Sequence, residues 1–193
     1  MVGVLLITTN FTDKRDNNTY STFKLRDKIW LKENLKYLFK ESSNISYKVK
    51  NYYDKFGAYY TRKSALKACP EGFGLASLKE YKDLFLKLKG ENNLLQGKKV
   101  SEEELSKYGF LLGGLTKGKK IAFANSIGFY WTSTDTLKIN SKKPKEGKKK
   151  YFVGIHIYKD KESDAFNIEP TYMPAKSKNF SSIAINAKCV KRE

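Results

Sequence analysis

The chain has 193 residues, 40% hydrophobic and 14% aromatic, with 38 Lys plus Arg against 20 Asp plus Glu and a formal net charge of +18. The hydrophobic and aromatic content excludes a disordered chain, and the length suits one domain with its own core. The lysine-rich excess favours an anionic partner such as an acidic glycan, nucleic acid, anionic lipid or acidic protein. A merely solvated lysine surface is the alternative.

No stretch reaches the roughly eighteen apolar residues of a membrane-spanning helix, so no membrane span is predicted. The apolar run at residues 2–7 is too short for a secretory leader, and no basic segment precedes it. Two routes are open: a leader was removed from a secreted chain, or the protein assembles into a particle. We assign residues 1–10 to an N-terminal strand or extension and residues 11–193 to one domain.

The first part of this domain is predicted to be β-rich. β-Branched and aromatic residues predict a strand over residues 2–9 and a hairpin over residues 11–30, with turn chemistry at residues 16–18. Residues 40–50 are polar and predict a loop.

A helix is predicted to follow a short strand at residues 57–61. Thr61 is its N-cap, and Pro70 with Gly72 stops it. The residues that we place on one side of this helix are Ala65, Leu66, Ala68 and Cys69.

A second helix begins at a capping box over residues 77–80 and ends at Gly90, and residues 101–104 repeat the capping signature for a third. The apolar stripe of the second helix is Tyr81, Leu84, Phe85 and Leu88. Later strands are predicted at residues 128–134, 151–158 and 182–190, with a Lys-rich loop at residues 138–150. The organisation is that of a single α+β domain.

The two cysteines of the chain, Cys69 and Cys189, lie far apart. This placement favours a staple that closes a domain over a metal site or a redox motif. Two buried free thiols in a reducing compartment are the alternative.

Short motifs along the chain carry a resemblance to a known family. They are Phe-x-Asp-x-Arg-Asp-x-x-x-Tyr at residues 11–20, Trp-x-x-Glu-Asn-Leu-x-Tyr at 30–37, Gly-x-x-Tyr-Thr at 57–61, Cys-Pro-x-Gly-Phe-x-Leu at 69–75, Gly-Lys-Lys at 97–99, Tyr-Trp-Thr-Ser-Thr at 130–134 and Lys-Cys-Val at 188–190. In these blocks, and in their order, the chain resembles the Fibrobacter succinogenes major paralogous domain. The signature residues are Trp30, Asn34, Gly57, Pro70, Gly72 and Trp131.

The chain departs from the family pattern at three positions. Phe73 and Gly74 stand where the family has Trp and then His or Arg, and Ala76 stands where it has Pro. The lysine-rich segment resembles an insertion. These departures bear on ligand contacts and leave the expected fold unchanged.

The resemblance implies a single C-type-lectin-like domain in which two to three short helices pack on twisted antiparallel sheets. In that architecture a cysteine at the end of a helix bonds to one in the last strand, which implies a disulfide between Cys69 and Cys189. A disulfide implies an oxidising destination.

Catalytic chemistry finds little support in the sequence. The one histidine, His156, lies in a strand pattern, which is typical of a surface or satisfied residue, and no zinc site, nucleophile triad or phosphate-binding glycine motif occurs. Glu169, Pro170 and Thr171 only partly match the calcium motif of classical C-type lectins, and no later carboxylate before Glu193 completes a site. We predict no enzyme, no metal and no cofactor.

The lysine-rich segment is the most unusual surface feature. The candidate ligand-binding residues are Lys142, Lys143, Lys145, Lys148, Lys149, Lys150 and Tyr151. A tyrosine-rich patch at Tyr52, Tyr53, Tyr59 and Tyr60 supports glycan or polyanion contact, with a place in the core as the alternative. The scarcity of arginine argues against sequence-specific nucleic-acid binding.

The expected function is a non-enzymatic extracellular or cell-surface binding or adhesion module. Its loops, including residues 113–126 and 141–150, would contact a glycan, an anionic polymer or a protein partner. The alternative is a structural component of a particle, such as a bacteriophage virion or fibre protein. A third hypothesis is a polyanion binder that acts by charge alone. An oligomer or larger assembly is compatible with each of them.

Overall fold

The computed structural model describes residues 9–40, 46–88, 100–118, 120–139, 148–177 and 182–192. The fold is mixed α+β, with short helices and mostly antiparallel sheets. The helices are α1 (Tyr53–Phe56), α2 (Arg62–Ala68), α3 (Leu78–Leu88) and α4 (Glu102–Lys107). The strands are β1 (Asn10–Thr12), β2 (Thr19–Leu25), β3 (Lys28–Leu31), β4 (Ser46–Tyr47), β5 (Tyr59–Tyr60), β6 (Phe73–Leu75), β7 (Leu115–Lys117), β8 (Lys120–Ala122), β9 (Ile127–Ile139), β10 (Lys148–Lys159), β11 (Phe166–Pro174), β12 (Ile183–Ala184) and β13 (Cys189–Lys191).

The last strand lies inside the largest sheet. That sheet has the order β1-β2-β3-β13-β6, so strands from the start of the chain pair with a strand from its end. Val190 of β13 stands opposite Trp30 on one side and Gly74 on the other. The remaining sheets have the orders β11-β10-β9, β12-β7-β8 and β4-β5.

The capping boxes predicted from the sequence are confirmed at α3 and α4. At α3, the Ser77 amide donates to the Glu80 carboxylate at 2.7 Å, and the Glu80 amide donates to the Ser77 hydroxyl at 3.2 Å. Ser101 and Glu104 form the same pair of bonds at α4. These bonds satisfy amides that a helix start leaves without an intrahelical partner.

The core has two main parts. One part packs α3 and α4 against the sheets and contains Phe23, Trp30, Tyr81, Leu84, Phe85, Phe110, Tyr130, Ile155 and Val190. The other surrounds α2 and contains Tyr20, Leu31, Leu35, Tyr60, Ala65, Ala68, Trp131, Ile185, Ala187 and Cys189.

The disulfide between Cys69 and Cys189 is confirmed, with an S–S distance of 2.05 Å. Cys69 is the C-cap of α2, and Cys189 is the first residue of β13. Arg15 supports the same corner because its guanidinium binds the buried Asp13 carboxylate and donates to the Ala68 carbonyl at 2.7 Å. The bond therefore ties α2 to β13, which lies between β3 and β6 in the largest sheet.

A buried lysine lies next to this disulfide in the sequence. The ammonium of Lys188 donates to the carbonyls of Lys32 and Gly109, the latter at 2.6 Å, and lies 5.1 Å from the centre of the Phe110 ring. Gly109 has a φ of +68°, and a Cβ there would lie 1.9 Å from the Lys32 carbonyl oxygen. Glycine is therefore required where these three segments meet.

Two predicted loops differ from the structure. The Lys-rich loop at residues 138–150 is shorter than expected, because β9 continues to Ile139 and β10 already begins at Lys148, where the two residues pair. An antiparallel pair of strands is joined by backbone hydrogen bonds and does not need apolar side chains. The lysine-rich composition therefore did not indicate that the strands continue into this segment. Residues 113–126, expected to be a loop, contain β7 and β8.

Other details of the prediction are corrected as well. Four helices are present among the described residues rather than two to three, because α1 is a single turn too short to show periodicity. Leu66 is 51% exposed and does not lie on the buried side of α2. The predicted strand at residues 182–190 is divided into β12 and β13, since residues 185 and 186 form isolated bridges with Tyr60 and Tyr130.

Two strands, β4 and β11, were not predicted from the sequence. The predicted polar loop at residues 40–50 contains β4, and the prolines of β11 suit its place at a sheet edge. Residues 2–8 of the strand predicted at residues 2–9, and the helix end predicted at Gly90, lie outside the described residues. None of the helices in the described part of the chain is long and apolar enough to cross a membrane.

The Lys188→Met variant tests the buried lysine. Burial lowers the pKa of Lys188 from 10.5 to about 7, while the Glu33 carboxylate acts in the opposite direction. Between these two pKa values the unfolded chain holds a proton that the folded chain lacks, so stability rises with pH. We expect urea unfolding at pH 7 and pH 9 to show a slope of up to about 1.4 kcal/mol per pH unit that the variant loses.

Lys191→Met is the matched control, because Lys191 is an exposed lysine three residues after Lys188, at the end of β13. Its pH slope is expected to equal that of the wild type. A Lys188→Met variant that keeps the full wild-type slope would show that Lys188 titrates normally.

Candidate functional site

The structure places the predicted ligand-binding residues at one end of the β9–β10 hairpin. Lys142, Lys143 and Lys145 lie outside the described residues. Lys148, Lys149, Lys150 and Tyr151 are the first four residues of β10. Lys149 and Lys150 are exposed, and Tyr151 is partly buried. The described lysines of the predicted ligand-binding set therefore lie on a strand rather than on a loop.

Lys150 belongs to a cluster that we call the hairpin-base cluster, formed by Arg62, Asp135, Lys150 and Phe152. Arg62 Nη2 donates to Asp135 Oδ1 at 2.9 Å, and Lys150 Nζ lies 2.8 Å from Asp135 Oδ2. Both cations also lie near the Phe152 ring, at 5.4 and 5.9 Å from its centre. One carboxylate thus holds two cations of very different burial.

The two ion pairs of the hairpin-base cluster differ in their exposure to solvent. The side chain of Arg62 is 6% exposed, whereas that of Lys150 is 53% exposed and that of Asp135 32%. Burial lowers the pKa of the Arg62 guanidinium, and the Asp135 carboxylate opposes this shift. Arginine stays protonated at neutral pH, so the buried cation depends on this carboxylate.

Neighbouring elements position the cluster from both sides. Arg62 opens α2 directly after β5, and the indole of Trp131 on β9 donates to the Tyr60 carbonyl at 2.7 Å. The register of β9 and β10 shifts between Phe152 and Gly154, and the Thr132 hydroxyl donates to the Val153 carbonyl at 2.7 Å. This bulge places Asp135 opposite Phe152 and brings it within reach of α2.

The signature residues lie at separate points of the fold, and all of them except the exposed Gly72 are buried. Trp30 stacks on Phe23 and meets the edge of Tyr81 in the larger core part, whereas Trp131 lies in the other part. Pro70 and Gly72 form the turn after the disulfide, where the Phe73 amide donates to the Pro70 carbonyl. Their role in this chain is structural.

Asn34 and Gly57 meet at the start of β5. The side-chain Nδ2 of Asn34 donates to the Phe56 carbonyl at 2.9 Å. Gly57 has a φ of +73°, and a Cβ there would lie 2.7 Å from the Leu35 carbonyl oxygen. Glycine allows this close approach of the two backbones.

Gly74 and Ala76, two residues that depart from the pattern expected by resemblance, have a physical reason in this chain. A Cβ on Gly74 would lie 2.5 Å from the Arg192 side chain, which binds the Glu80 carboxylate in the first turn of α3. The Ala76 amide donates to the Lys188 carbonyl at 3.0 Å, a bond that proline could not make.

Clefts occur elsewhere on the molecule. One of about 390 Å³ lies between residues 11–15 and residues 70–72. Another of about 220 Å³ has a largely aromatic and aliphatic lining near α4, with Lys55, Glu102 and Asn125 among its polar residues. Neither of these two clefts contains a residue of the predicted ligand-binding set.

The predicted tyrosine-rich patch is divided between surface and core. Tyr59 and Tyr60 are fully buried, and their hydroxyls donate to the carbonyls of Gly113 and Tyr37, each at 2.6 Å. Burial raises the pKa of both phenols above the ordinary value. These two side chains therefore cannot contact a ligand.

His156 packs as an aromatic ring. It lies between Phe129 and Tyr158, at ring-centre distances of 4.8 and 4.6 Å. Burial lowers the pKa of its imidazole, and Glu169 acts in the opposite direction. Glu169 accepts the Tyr158 hydroxyl at 2.9 Å. Within the described ranges, no group of three or more His, Cys, Asp or Glu side chains could hold a metal ion.

Sequence reasoning missed Arg62 and Asp135. They are 73 positions apart, and each reads as an ordinary charged residue in its own segment. One signal was present: Arg62 is an arginine in a chain whose basic residues are nearly all lysine, and arginine is preferred for buried ion pairs.

No family model matches the chain, and neither a curated protein nor a solved structure matches it. The case for a function therefore comes from the geometry and charge of the described residues.

Asp135→Ala tests whether the hairpin-base cluster is structural. The variant leaves the Arg62 cation buried without its carboxylate, and we expect a loss of about 1–3 kcal/mol in urea unfolding. Asp164→Ala is the control, because Asp164 pairs with Lys159 while 99% exposed, and no measurable change is expected. Adding Arg62→Met to Asp135→Ala should recover most of the loss. Equal effects of the Asp135 and Asp164 substitutions would contradict this role.

Proposed function

We propose that the protein is a non-enzymatic binding module with a C-type-lectin-like fold that binds an anionic polymer, an acidic glycan first among them, outside the cell or at its surface. The proposal includes kinship with the Fibrobacter succinogenes major paralogous domain. The observation that carries it is the basic start of β10, where Lys149 and Lys150 are exposed on a strand next to Arg62. A polyanion gains more from cations whose backbone is held in a strand than from cations on a mobile segment.

The arrangement of the chain ends supports the lectin-like part of the proposal. Cys69, the C-cap of α2, forms a disulfide with Cys189 of β13, and β13 pairs with both β3 and β6. This is the arrangement expected for a domain whose two ends are tied together. A disulfide is typical of oxidising compartments, which supports an extracellular or surface location.

The non-enzymatic part rests on how the reactive side chains are used. Both cysteines lie in the disulfide and are not available as thiolate nucleophiles. His156 lies between two aromatic rings, as described above.

An assembly role, as a virion or fibre component, stays an alternative prediction. Sedimentation of the purified protein as a large particle would favour it.

A binding assay with two salt concentrations tests the proposal. The probes are fluorescent heparin and polygalacturonate fragments, and fluorescence anisotropy gives their affinities. Affinity is expected to fall steeply with salt, because binding releases counterions from the polymer. The Lys149→Gln/Lys150→Gln variant should lose about tenfold in affinity and lower the slope against log salt by about one to two.

The control variant, Lys79→Gln/Lys159→Gln, removes the same charge from α3 and from the opposite end of β10. Its affinity should change by less than about twofold if the site is local. Equal losses in both variants would mean that net charge alone attracts the polymer. Absence of binding by the wild type at low salt would reject the proposed function.

A further inference from the structure

Asp135 forms one ion pair with Arg62 and another with Lys150, and the two cations differ in how freely they can move. The bond to Arg62 is shielded from water, so opening it would leave a buried cation unpaired. The bond to Lys150 joins two side chains that solvent reaches. Exposed ion pairs contribute little to stability, and the long stem of lysine allows its ammonium to move. The ion pair between Lys150 and Asp135 can therefore break while the ion pair between Arg62 and Asp135 stays intact.

Charge at this end of the sheet favours an incoming anion. Lysines occupy three successive positions at residues 148–150, and Arg62 adds a fourth cation. Asp135 is the carboxylate that contacts two of these four cations. An anionic group that reaches Lys150 meets the cations of Lys150 and Arg62, and it also meets the negative charge of Asp135 between them.

We propose that Asp135 is a built-in competitor, which occupies Lys150 until a carboxylate or sulfate group of an acidic polysaccharide replaces it there. In the ligand-free protein the carboxylate holds Lys150 and Arg62 together over Phe152. In the complex Lys150 turns to the ligand, and Asp135 keeps Arg62. The competitor lowers affinity for isolated anions and favours polymers, which present many charged groups at once. This inference rests on the proposed function and specifies its ligand contact.

The polysaccharide is favoured over nucleic acid by two observations. The disulfide points to an oxidising location. The exposed cations at the start of β10 are lysines, which lack the planar fork with which arginine contacts bases. Single-stranded DNA is therefore a comparison probe rather than the expected ligand.

The test compares Asp135→Asn with Asp164→Asn in the anisotropy assay, using heparin and polygalacturonate fragments and a single-stranded DNA of matched charge. Asparagine keeps an oxygen for Arg62 and removes the competing charge. Asp135→Asn is expected to raise affinity for the polysaccharides about threefold to tenfold, and Asp164→Asn by less than about twofold. In a Lys150→Gln background, Asp135→Asn should have almost no effect.

Acetylation footprinting of the wild type provides a second measurement that needs no variant. Lys150 should be protected by the bound polysaccharide, whereas Lys159 should react equally with and without it. Binding without protection of Lys150, or an Asp135→Asn affinity equal to that of the wild type, would overturn the competitor role alone. DNA that binds as tightly as the polysaccharides would overturn the ligand class. A wild type that binds none of the probes would reject the proposed function itself.

Discussion

The position of β13 between β3 and β6 is the constraint on which the rest of the structure depends. A three-residue strand makes few hydrogen bonds of its own, so its place must be fixed by other contacts. The disulfide at Cys189 closes a loop of 120 positions, which the chain-entropy model values at roughly 5 kcal/mol as an upper figure. Lys188, one residue earlier, binds two carbonyls from separate segments. Together the disulfide and Lys188 hold β13 between β3 and β6.

The same constraint reaches the candidate site through α2. This helix has seven residues, and a helix of that length is not stable by itself in water. Its C-cap Cys69 is bonded to β13, and its first residue, Arg62, is paired with Asp135 on β9. The helix is thus held at both ends by interactions with two different sheets. The geometry around Lys150 is consequently linked to the anchoring of the last strand.

The sequence specified those features that depend on neighbouring residues. The capping boxes at Ser77 and Ser101 predicted the starts of α3 and α4, since the interacting groups are three positions apart. The extension of β9 and β10 into the lysine-rich segment was not predictable by composition, because lysine is uncommon in strands. The pairing of Arg62 with Asp135 and the burial of Lys188 arise only when distant segments fold together. Local patterns do not identify the partners in such contacts, even where a residue such as Arg62 is unusual for the chain.

Hydrogen exchange measured by mass spectrometry tests most directly whether the disulfide holds α2 and β13 as one unit. In the oxidised protein, amides of α2, β13 and the adjoining part of β9 should exchange as slowly as those of α3. After reduction under native conditions, exchange in α2 and β13 should accelerate together, by at least about tenfold, and more than in α3. If reduction accelerates exchange in β13 while α2 and β9 keep their protection, the last strand does not anchor the helix that carries Arg62, and the account is contradicted.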